Sequence, residues 1–455
     1  MRRFSKYLLL SISLFSLIAC HSQKSIKLSR LTTPKVEKIS TKNNSKISET
    51  TYESYTAFTK KFTSLVMETN NKEKEESLGI SIPDAYLCLA ITGVISSDEA
   101  RADILSYLEL KNMDELRTSV KEIVSALCTL YKDYNGKYHG GYNLNSIWLN
   151  PDKVKLVKEK DEQLYKDLEE VFDASTYMEA LTSDKANQYL KDNGLKDMPT
   201  PKIELNDDDP SAMSAMSVYY CLDYFDEEAK LFYKSQYESG THKMDYTYGD
   251  KTEKVNYIHQ QYNGVVYEGD DFHGANLPIQ QLQMTFFLPD NKSAMPSTIL
   301  EDVLEENYHL KDSEFIDYDE VKRPTNTFDL SVSAPYFSLN NKIDLLHSDL
   351  EKVLPVITLR GAGTRLAESI YGYETYLDFI KQFSVMKFNY DGFYSCSVTI
   401  AGYDAKSALE PEYEKFELNL DHPYIFEVNK NVQIGTAYTR LPIIIGEIVN
   451  PDYKD

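Results

Sequence analysis

The sequence predicts an α+β fold in which helices occupy the N-terminal half and large, mostly antiparallel sheets follow. Two apolar segments near the C-terminus each have the pattern of a strand: Tyr424 to Val428, and Ile443 to Ile445 with a glycine directly after it. No linker rich in Gly, Ser or Pro interrupts the chain after residue 52, which favours one large domain. With 42% hydrophobic residues among 455, the chain has enough apolar material for a sizeable core.

The charge pattern bears on the class of partner. The formal net charge is −22, and acidic residues are spread along the whole chain. Such a charge argues against nucleic acid as a partner and predicts solubility, with a weak bias toward basic partners. The 35 tyrosines also suit a half-wet surface, because each ring carries a hydroxyl group.

The first twenty residues are predicted to be a targeting segment. Arg2, Arg3 and Lys6 form a basic start, and residues 7–18 form an apolar stretch that is too short to span a membrane. Cys20 directly follows Leu-Ile-Ala, which resembles the bacterial lipoprotein box and implies cleavage before Cys20 and acylation of its thiol and new amino group. Several acyl chains would hold the protein durably on a membrane. We therefore expect a lipid-anchored protein on the outer, extracellular face of a bacterial membrane; the alternative is an ordinary secretory signal.

The chain thus divides into a lipoprotein signal peptide (residues 1–20), a flexible tether (residues 21–51) and a folded domain (residues 52–455). The tether prediction rests on composition, because Ser, Thr, Lys and Asn dominate there and apolar residues are isolated.

No pattern in the chain indicates catalysis. The 8 histidines form no set with metal-ligand spacing, and neither a phosphate-binding glycine loop nor a nucleophile elbow is present. The acidic runs at residues 98–99 and 207–209 are typical of helix starts or turns rather than of calcium sites. We therefore expect no enzymatic activity, no metal and no cofactor.

Four cysteines follow Cys20. An even number in an exported protein permits two disulfides, but each cysteine lies among apolar or aromatic residues, which favours buried free thiols. They are Cys88, Cys128, Cys221 and Cys396.

The two C-terminal segments together, LDHPYIFEV (residues 420–428) and PIIIGEIVNP (residues 442–451), resemble the closing hairpin of the serpin family. In that family a basic residue and Pro-Phe open one strand, and an Ile/Leu-rich strand runs into Gly and Val-Asn-Pro. Further segments resemble serpin elements in the family's order: residues 86–93, 98–110, 145–149, 249–255, 284–290 and 329–354, the last with Ala334 to Phe337 at a Leu-Pro-Lys-Phe-like step.

The resemblance implies that Val398 to Phe416 holds a reactive loop: a hinge, a bait segment cut by the target protease, and then the closing hairpin. After cleavage, the hinge of a serpin inserts into the large sheet as a new strand and the acylated protease is distorted. Gly402 matches the hinge glycine, and Tyr403, Asp404 and Ala405 follow it. Tyr403 would face the sheet interior, where overpacking commonly costs ~1–3 kcal/mol.

Two counts place the scissile bond differently. Counting forward from Gly402 ends near Phe416 (416 − 402 = 14 positions), whereas counting back from Pro423 ends near Glu412. The span from Gly402 to Pro423 is 21 positions (423 − 402), several fewer than an inhibitory loop usually has. The candidate window is therefore Glu412, Tyr413, Glu414, Lys415 and Phe416, in which Lys415 suits a trypsin-like protease and Tyr413 or Phe416 a chymotrypsin-like one.

These matches predict an inhibitor of a serine or cysteine endopeptidase that acts by bait loop and strand insertion. The alternative is a binding or scaffold lipoprotein that keeps the serpin fold without trapping a protease. Two departures support that alternative: Pro411 removes a backbone donor from any inserted strand, and residues 221–229 lack the Asn and Trp that the family has there. Residues 398–416 would then be a short polar hairpin.

Overall fold

Helices occupy most of the first half of the chain and strands dominate the second, which confirms the predicted α+β class. The computed structural model describes residues 30–31, 45–73, 76–128, 130–132, 138–157, 161–195, 200–224, 243–279, 282–317, 321–359, 365–373, 375–389, 392–395 and 412–451. The helices are α1 (Glu49–Glu73), α2 (Ile82–Ile95), α3 (Asp98–Tyr107), α4 (Met113–Leu127), α5 (Glu162–Glu170), α6 (Ser183–Asn193), α7 (Leu300–Leu304), α8 (His347–Leu350) and α9 (Pro355–Leu359). Across these ranges, no helix combines the length and the apolar character that crossing a bilayer requires.

Local sequence explains the central helices. Nearly all of α2 is apolar, and eleven of its residues are buried, so it runs through the core rather than over it. Pro83 lies in its first turn, where a missing N–H costs no hydrogen bond. By contrast, α4 has one apolar face and a polar cap, in which the Asn112 side chain accepts from the N–H groups of Asp114 and Glu115 at 2.9 and 3.0 Å.

The strands, in chain order, are β1 (Lys46–Ile47), β2 (Leu78–Ser81), β3 (Leu130–Lys132), β4 (Tyr138–Leu149), β5 (Val154–Leu156), β6 (Ala174–Tyr177), β7 (Met213–Tyr224), β8 (Lys243–Tyr248), β9 (Lys251–Gly264), β10 (Val266–Glu268), β11 (Phe272–Pro278), β12 (Leu282–Pro289), β13 (His309–Leu310), β14 (Ser313–Ile316), β15 (Lys322–Thr325), β16 (Phe328–Pro335), β17 (Phe337–Leu346), β18 (Ala367–Ser369), β19 (Phe379–Asn389), β20 (Gly392–Ser395), β21 (Glu412–Tyr413), β22 (Lys415–Asn419), β23 (Tyr424–Ile434) and β24 (Ala437–Ile448).

Sheet I contains 7 strands in the order β17-β19-β20-β7-β4-β3, and β6 also pairs with β4. Every pair is antiparallel except β4 with β6. Because side chains alternate along a strand, the two faces of β7 differ. Tyr219 and Cys221 point into the main core, whereas Tyr220 points into a second apolar cluster that includes Tyr189 of α6.

Sheet II contains 8 strands in the order β13-β10-β11-β12-β23-β24-β2, with β1 beside β23. Its β23–β24 hairpin confirms the two strands predicted near the C-terminus. The hairpin pairs Tyr424 with Ile448 at one end and Ile434 with Ala437 at the other, with a bulge after Val428. Phe426 is fully buried, so this hairpin anchors the core.

Three smaller sheets complete the described fold, and one of them leads into sheet I through β16. Sheet III has the order β22-β16-β9-β8, a three-stranded sheet has the order β15-β14-β21, and β18 pairs with β5. At the predicted Ala334 to Phe337 step, β16 ends at Pro335 and β17 begins at Phe337, so the chain passes from sheet III to sheet I. Between them, the Tyr336 N–H donates to the Asn256 carbonyl at 2.8 Å.

The other segments that carried the resemblance also form regular elements. Residues 98–107 form α3, residues 145–149 lie in β4, and residues 284–289 lie in β12. Residues 249–255 contain the β8–β9 turn, where Gly249 has a φ of 54°.

Ordered structure begins inside the segment predicted to be a tether. Strand β1 starts at Lys46 and α1 at Glu49, ahead of the predicted boundary at residue 52. The backbone N–H and the hydroxyl of Ser48 both donate to Glu122 Oε2, at 2.9 and 2.7 Å, which holds this start against α4. Farther upstream, the Leu31 N–H donates to the Thr176 carbonyl at 2.6 Å, so the tether also contacts the edge of sheet I.

The three described thiols are free, in keeping with their apolar surroundings: Cys88, Cys128 and Cys221. Cys396 and Cys20 lie outside the described residues.

Candidate functional site

At the end of β19 the chain turns back and enters sheet I again as β20. Asn389 pairs with Gly392 across the turn, and Phe393 pairs with Phe388 of β19. On its other side β20 pairs with β7, where Phe393 lies opposite Asp223. This short strand is therefore hydrogen-bonded between two neighbours, both of them antiparallel to it.

The turn requires a glycine at residue 392. Gly392 has a φ of 143°, a region that residues with a side chain rarely adopt. A Cβ atom there would lie 2.2 Å from the Asp223 carbonyl oxygen and 2.7 Å from the Tyr224 Cα. Both contacts are with backbone, so no side-chain rearrangement can relieve them.

Phe393 fixes β20 in the core. Its side chain is fully buried, and its ring centroid lies 6.4 Å from those of both Phe337 and Phe426. Phe337 also contacts Phe388, with centroids 5.5 Å apart. This aromatic cluster joins three strands of sheet I to the closing hairpin of sheet II, which stabilises the place where the chain re-enters the sheet.

Beyond Ser395, the described residues include no strand between β7 and β19 of sheet I. Residues 213–220 of β7 pair with β4, and residues 379–386 of β19 pair with β17, but within the described residues no strand lies between them. We call this gap the slot. It borders a cavity of about 620 Å³ whose lining includes Asp84, Cys88, Ala215, Ser217, Gln382 and Ser384.

The floor of the slot is the polar start of α2. Asp84 Oδ1 accepts a hydrogen bond from Gln382 Nε2 at 3.2 Å. The same amide joins β19 to the residue before α2, because the Ser81 N–H donates to Gln382 Oε1 at 3.0 Å and the Ser81 carbonyl accepts from Nε2 at 2.7 Å. One turn along α2, the Cys88 thiol donates to the Ala215 carbonyl at 3.5 Å.

Burial shifts the titration of both acidic groups in this floor. It raises the pKa of Asp84 from 3.8 to about 7, although hydrogen bonds to the carboxylate oppose the shift. Burial, and to a smaller extent the nearby Asp84, raise the pKa of the Cys88 thiol to about 12. Cys88 is therefore a neutral thiol at physiological pH, and the charge state of the floor depends on Asp84.

A buried lysine supports the other end of β7. Lys430 of β23 donates to the Ala126 carbonyl at 2.7 Å, and burial lowers its pKa to about 8. Asp223 Oδ2 accepts the N–H of Leu282 at 2.9 Å, which joins β7 to β12 beside β20. The Lys430 bond therefore joins sheet II to α4, and the Asp223 bond joins sheet II to sheet I beside β20.

The acidic residues considered as cation ligands have structural partners. Asp207 accepts from the Ser183 N–H at 2.7 Å, next to the start of α6, and Asp209 pairs with Lys153. In the described ranges, no group of three or more His, Cys, Asp or Glu side chains has a metal-binding arrangement.

A family model described as serpin (serine protease inhibitor) matches residues 54–451. The chain belongs to the serpin family. This confirms the resemblance carried by the closing hairpin and the upstream segments. Serpins bind target proteases and are generally inhibitors rather than catalysts, although some are non-inhibitory. No curated protein sequence matches significantly.

Solved serpin structures share the fold at low sequence identity. Arabidopsis AtSerpin1, in its native stressed conformation, has a TM-score of 0.62 at 18% identity, covering 88% of this chain and 98% of that one. The thermophilic serpin tengpin, in its native state, has a TM-score of 0.58 at 14% identity, covering 92% and 100%. Human thyroxine-binding globulin, complexed with its hormone, has a TM-score of 0.59 at 11% identity, covering 89% and 100%.

The predicted hinge of this serpin, Gly402, Tyr403, Asp404 and Ala405, lies outside the described residues. The turn at which the chain re-enters the sheet is at Gly392, ten positions earlier (402 − 392). The predicted hinge glycine is therefore not the glycine of the observed turn.

The five residues of the predicted scissile window lie in or between paired strands. Tyr413 of β21 pairs with Phe315, Lys415 of β22 pairs with Asp329, and the Phe416 ring centroid lies 5.8 Å from that of Phe328. Glu412 and Glu414 are exposed. β21 and β22 each lie at the edge of their sheet, so the described pairing uses one backbone edge of this window. The window stays a prediction.

Sequence reasoning missed Gly392, although a signal was present. The dipeptide Asp391-Gly392 follows the alternating segment FSVMKFN, and Asp-Gly after alternating apolar residues is a strong hairpin signal. The residues after Gly402 match the composition of a serpin hinge better than those after Gly392. The pairing of β20 with β7 nevertheless identifies Gly392 as the glycine of the observed turn.

Proposed function

We propose that this protein inhibits a serine or cysteine protease by offering a bait loop and then inserting the upstream part of that loop into sheet I. The slot between β7 and β19, already occupied at one end by β20, is the observation that carries this proposal. A strand that continued β20 would pair with two open edges at once, which gives insertion a strong driving force.

The pairing of β20 sets the register of such a strand. Continued one residue at a time from the Ser395–Cys221 pair, it sets Thr399 opposite Ser217 and Gly402 opposite Ser214. The β19 side agrees, because the same continuation sets Gly402 opposite Phe379, the first residue of that strand. Residues 396–403 would therefore fill the slot to its far end at Met213.

The side chains of this segment suit the slot. Phe393 faces the main core, so every second residue after it would face the same way. These residues are small up to the far end of the slot, where Tyr403 follows: Ser395, Ser397, Thr399 and Ala401. Small side chains would fit between β7 and β19 without overpacking. If insertion began at Gly402 instead, the bulky Tyr403 would be the first side chain to enter the slot, and overpacking would follow.

A hinge at Gly392 would place the scissile bond at an earlier residue. The count of fourteen positions that reached Phe416 from Gly402 reaches Lys406 from Gly392 (406 − 392 = 14). The span from Gly392 to Pro423 is 31 positions (423 − 392), so the loop is no longer short. We therefore propose Lys406–Ser407 as the scissile bond, which suits a trypsin-like protease.

In the proposed reaction the protease supplies the nucleophile. Its serine or cysteine side chain attacks the Lys406 carbonyl, the Lys406–Ser407 amide bond breaks, and Ser407 leaves with the new amino group. Lys406 then remains as an acyl group on the protease. Insertion of residues 396–403 would pull this acyl-enzyme along the molecule before water reaches the ester.

A gel experiment tests the trap. The full chain is incubated with trypsin-like, chymotrypsin-like, elastase-like and papain-like proteases, and SDS-stable complexes are sought by gel and intact mass. We expect a complex with the trypsin-like protease and release of residues 407–455. The matched variant Lys406→Ala should lose that complex, while Lys415→Ala should keep it. Loop cleavage without a complex, under every protease, would refute the trap.

We also propose that Cys20 is lipidated and holds the protein on the outer face of a bacterial membrane. The support is the sequence of the leader alone. Metabolic labelling with an alkyne fatty acid should mark the full chain and leave Cys20→Ser unlabelled. Equal labelling of both proteins, or none of either, would refute lipidation at Cys20.

A second candidate is a binding serpin that does not trap proteases. One observation favours it: Phe393 follows the turn glycine, where inhibitory serpins have Thr, and its ring is locked among Phe337 and Phe426. A large buried side chain at this position would hold the loop stem and slow further insertion. The same gel separates the two candidates, because a binding serpin is cleaved without forming a complex.

A further inference from the structure

One carboxyl group lies beneath the slot at the middle of its length. Asp84 is held by Gln382, and Gln382 is the β19 residue that faces Ser217 across the slot when the β20 register is continued. Because Ser81 bonds both ends of the Gln382 amide, neither the amide nor the carboxyl can swing away freely. Any strand that fills the slot must therefore pass directly over Asp84.

No cation neutralises Asp84 in the described part of the chain. Two lysines line the same cavity, but each has another partner. Lys153 pairs with Asp209, and Lys381 pairs with Asp344 at 3.2 Å.

The other titratable groups around Asp84 leave its charge uncompensated. Cys88 of α2 and Tyr55 of α1 are neutral at physiological pH, because burial raises the pKa of both. On the facing strand, β7 presents the uncharged Ser217. The exposed Asp378, at the rim of the cavity, adds a like charge rather than an opposite one.

We propose that Asp84 is a positioning residue for strand insertion, such that a strand fills the slot readily when the Asp84 carboxyl is protonated and slowly when it is ionised. The inference rests on the proposed function. A strand that fills the slot displaces the water of the cavity, so an ionised carboxyl loses hydration and gains no cation in return. A protonated carboxyl instead donates its O–H to a carbonyl or hydroxyl of the strand and keeps Gln382 as a donor.

The direction of the pH effect follows from the same geometry. Asp84 already has a pKa of about 7 with the slot open, and filling the slot removes more water and raises the pKa further. Insertion should therefore take up a proton above pH 7. Since about half of the Asp84 carboxyl groups are protonated at pH 7 and about 3% at pH 8.5, insertion should slow by up to about 16-fold between these two pH values.

The test compares the full chain with Asp84→Asn. Both proteins are cleaved in the loop by the same trypsin-like protease, and proton uptake is measured with a pH indicator dye at pH 6 and pH 8. The ratio of SDS-stable complex to cleaved product is measured from pH 6 to pH 8.5. The matched control is Glu427→Gln, which removes a different carboxyl whose pKa burial also raises to about 7, on β23 of sheet II.

We expect cleavage at pH 8 to take up close to one proton more in the full chain than in Asp84→Asn. The ratio of complex to cleaved product should fall with pH in the full chain and in Glu427→Gln, and stay flatter in Asp84→Asn. Equal proton uptake and equal pH profiles would overturn the role of Asp84 while leaving the trap intact. If cleavage gives no gain in heat stability at any pH, in any of the three proteins, insertion itself fails and the proposed function falls with it.

Discussion

Lys430 and Gly392 show how surroundings, rather than residue type, set the behaviour of single residues in this chain. Lys430 would titrate near 10.5 in water, but it is 6% exposed, and burial lowers its pKa to about 8. Gly392 needs its missing side chain because the backbone of β7 occupies the space where a Cβ would lie. Both residues lie where sheet I meets sheet II, next to the proposed hinge.

We expect Gly392→Ala to destabilise the β19–β20 hairpin. The new Cβ would lie 2.2 Å from the Asp223 oxygen, at a φ of 143°. The loss in the free energy of unfolding should be about 1–3 kcal/mol, measured by thermal or urea unfolding. Gly435→Ala is the matched control, because Gly435 also has a positive φ but no atom within 4 Å of its added Cβ. An equal loss in the two variants would show that the clash at residue 392 is absent.

We expect the difference in stability between the full chain and Lys430→Met to depend on pH. The folded pKa of Lys430, about 8, lies below the ordinary 10.5, so between these values the unfolded chain binds a proton that the folded protein does not. Stability from this group therefore rises as the pH rises from 8 toward 10.5. Relative to Lys430→Met, the full chain should gain about 2 kcal/mol in unfolding free energy between pH 7.5 and pH 9.5.

Urea unfolding at three pH values measures this difference. Lys202→Met is the control, because Lys202 is exposed on the surface and should show no such trend. A constant difference between the full chain and Lys430→Met would mean that Lys430 titrates normally in the folded protein.

At the scale of elements, sheet I differs from sheet II because, among the described residues, no strand continues β20 between β7 and β19. In sheet II, β12 pairs with β23 over six residues, and β23 pairs with β24 over eleven. In sheet I, β20 is described over only four residues, and the strands on either side extend well beyond it. Unpaired edges inside a sheet are energetically costly, and the proposed insertion would remove that cost.

The proposed register predicts opposite effects for two neighbouring substitutions. Thr399→Glu would direct a second carboxylate toward Asp84 and the main core, whereas Ile400→Glu would direct it to the opposite face, where Met216 is only partly buried. Thr399→Glu should reduce the yield of SDS-stable complex by at least about tenfold, and Ile400→Glu should reduce it much less. The reverse order of effects would place the strand out of register by one residue.

At the scale of the whole molecule, one core joins the large sheets. Helix α2 lies between them, and its buried side chains belong to the same apolar cluster as Phe393, Phe426 and Ile444. The slot opens above this helix, so the cavity of about 620 Å³ is a defect in an otherwise close-packed interior. Filling it with a strand would add backbone pairing and side-chain packing together.

We therefore expect cleavage within residues 396–411 to make the protein more stable rather than less. Its thermal midpoint should rise by more than about 10 °C, because an inserted strand adds pairs on both edges and fills the cavity. Differential scanning calorimetry of intact and cleaved protein measures the shift. Cleaved Thr399→Glu should show a much smaller shift, and an unchanged midpoint in the cleaved full chain would contradict insertion.

Much of the fold could be predicted because its signals are local. The closing hairpin was predicted from two apolar segments that resemble consecutive strands of the serpin family, and these segments form β23 and β24. The N-terminal helices and the Ala334 to Phe337 step were predicted for the same reason. The turn glycine was harder to predict from the sequence. Gly392 and Gly402 lie ten residues apart and both have a composition that suits a hinge, and the choice between them depends on which strand edges are available for pairing.

The sequence by itself determined the fold class, the family and the closing hairpin, because each depends on residues close together in the chain; the leader with Cys20 stays a prediction. Only the tertiary structure decided that Gly392 is the turn, that the slot lies between β7 and β19, and that Asp84 lies beneath it. The physical reason is that pairing and desolvation arise between residues far apart in sequence. Asp84 and Gln382 are separated by 298 positions, and only folding brings the amide to the carboxyl and excludes water from both.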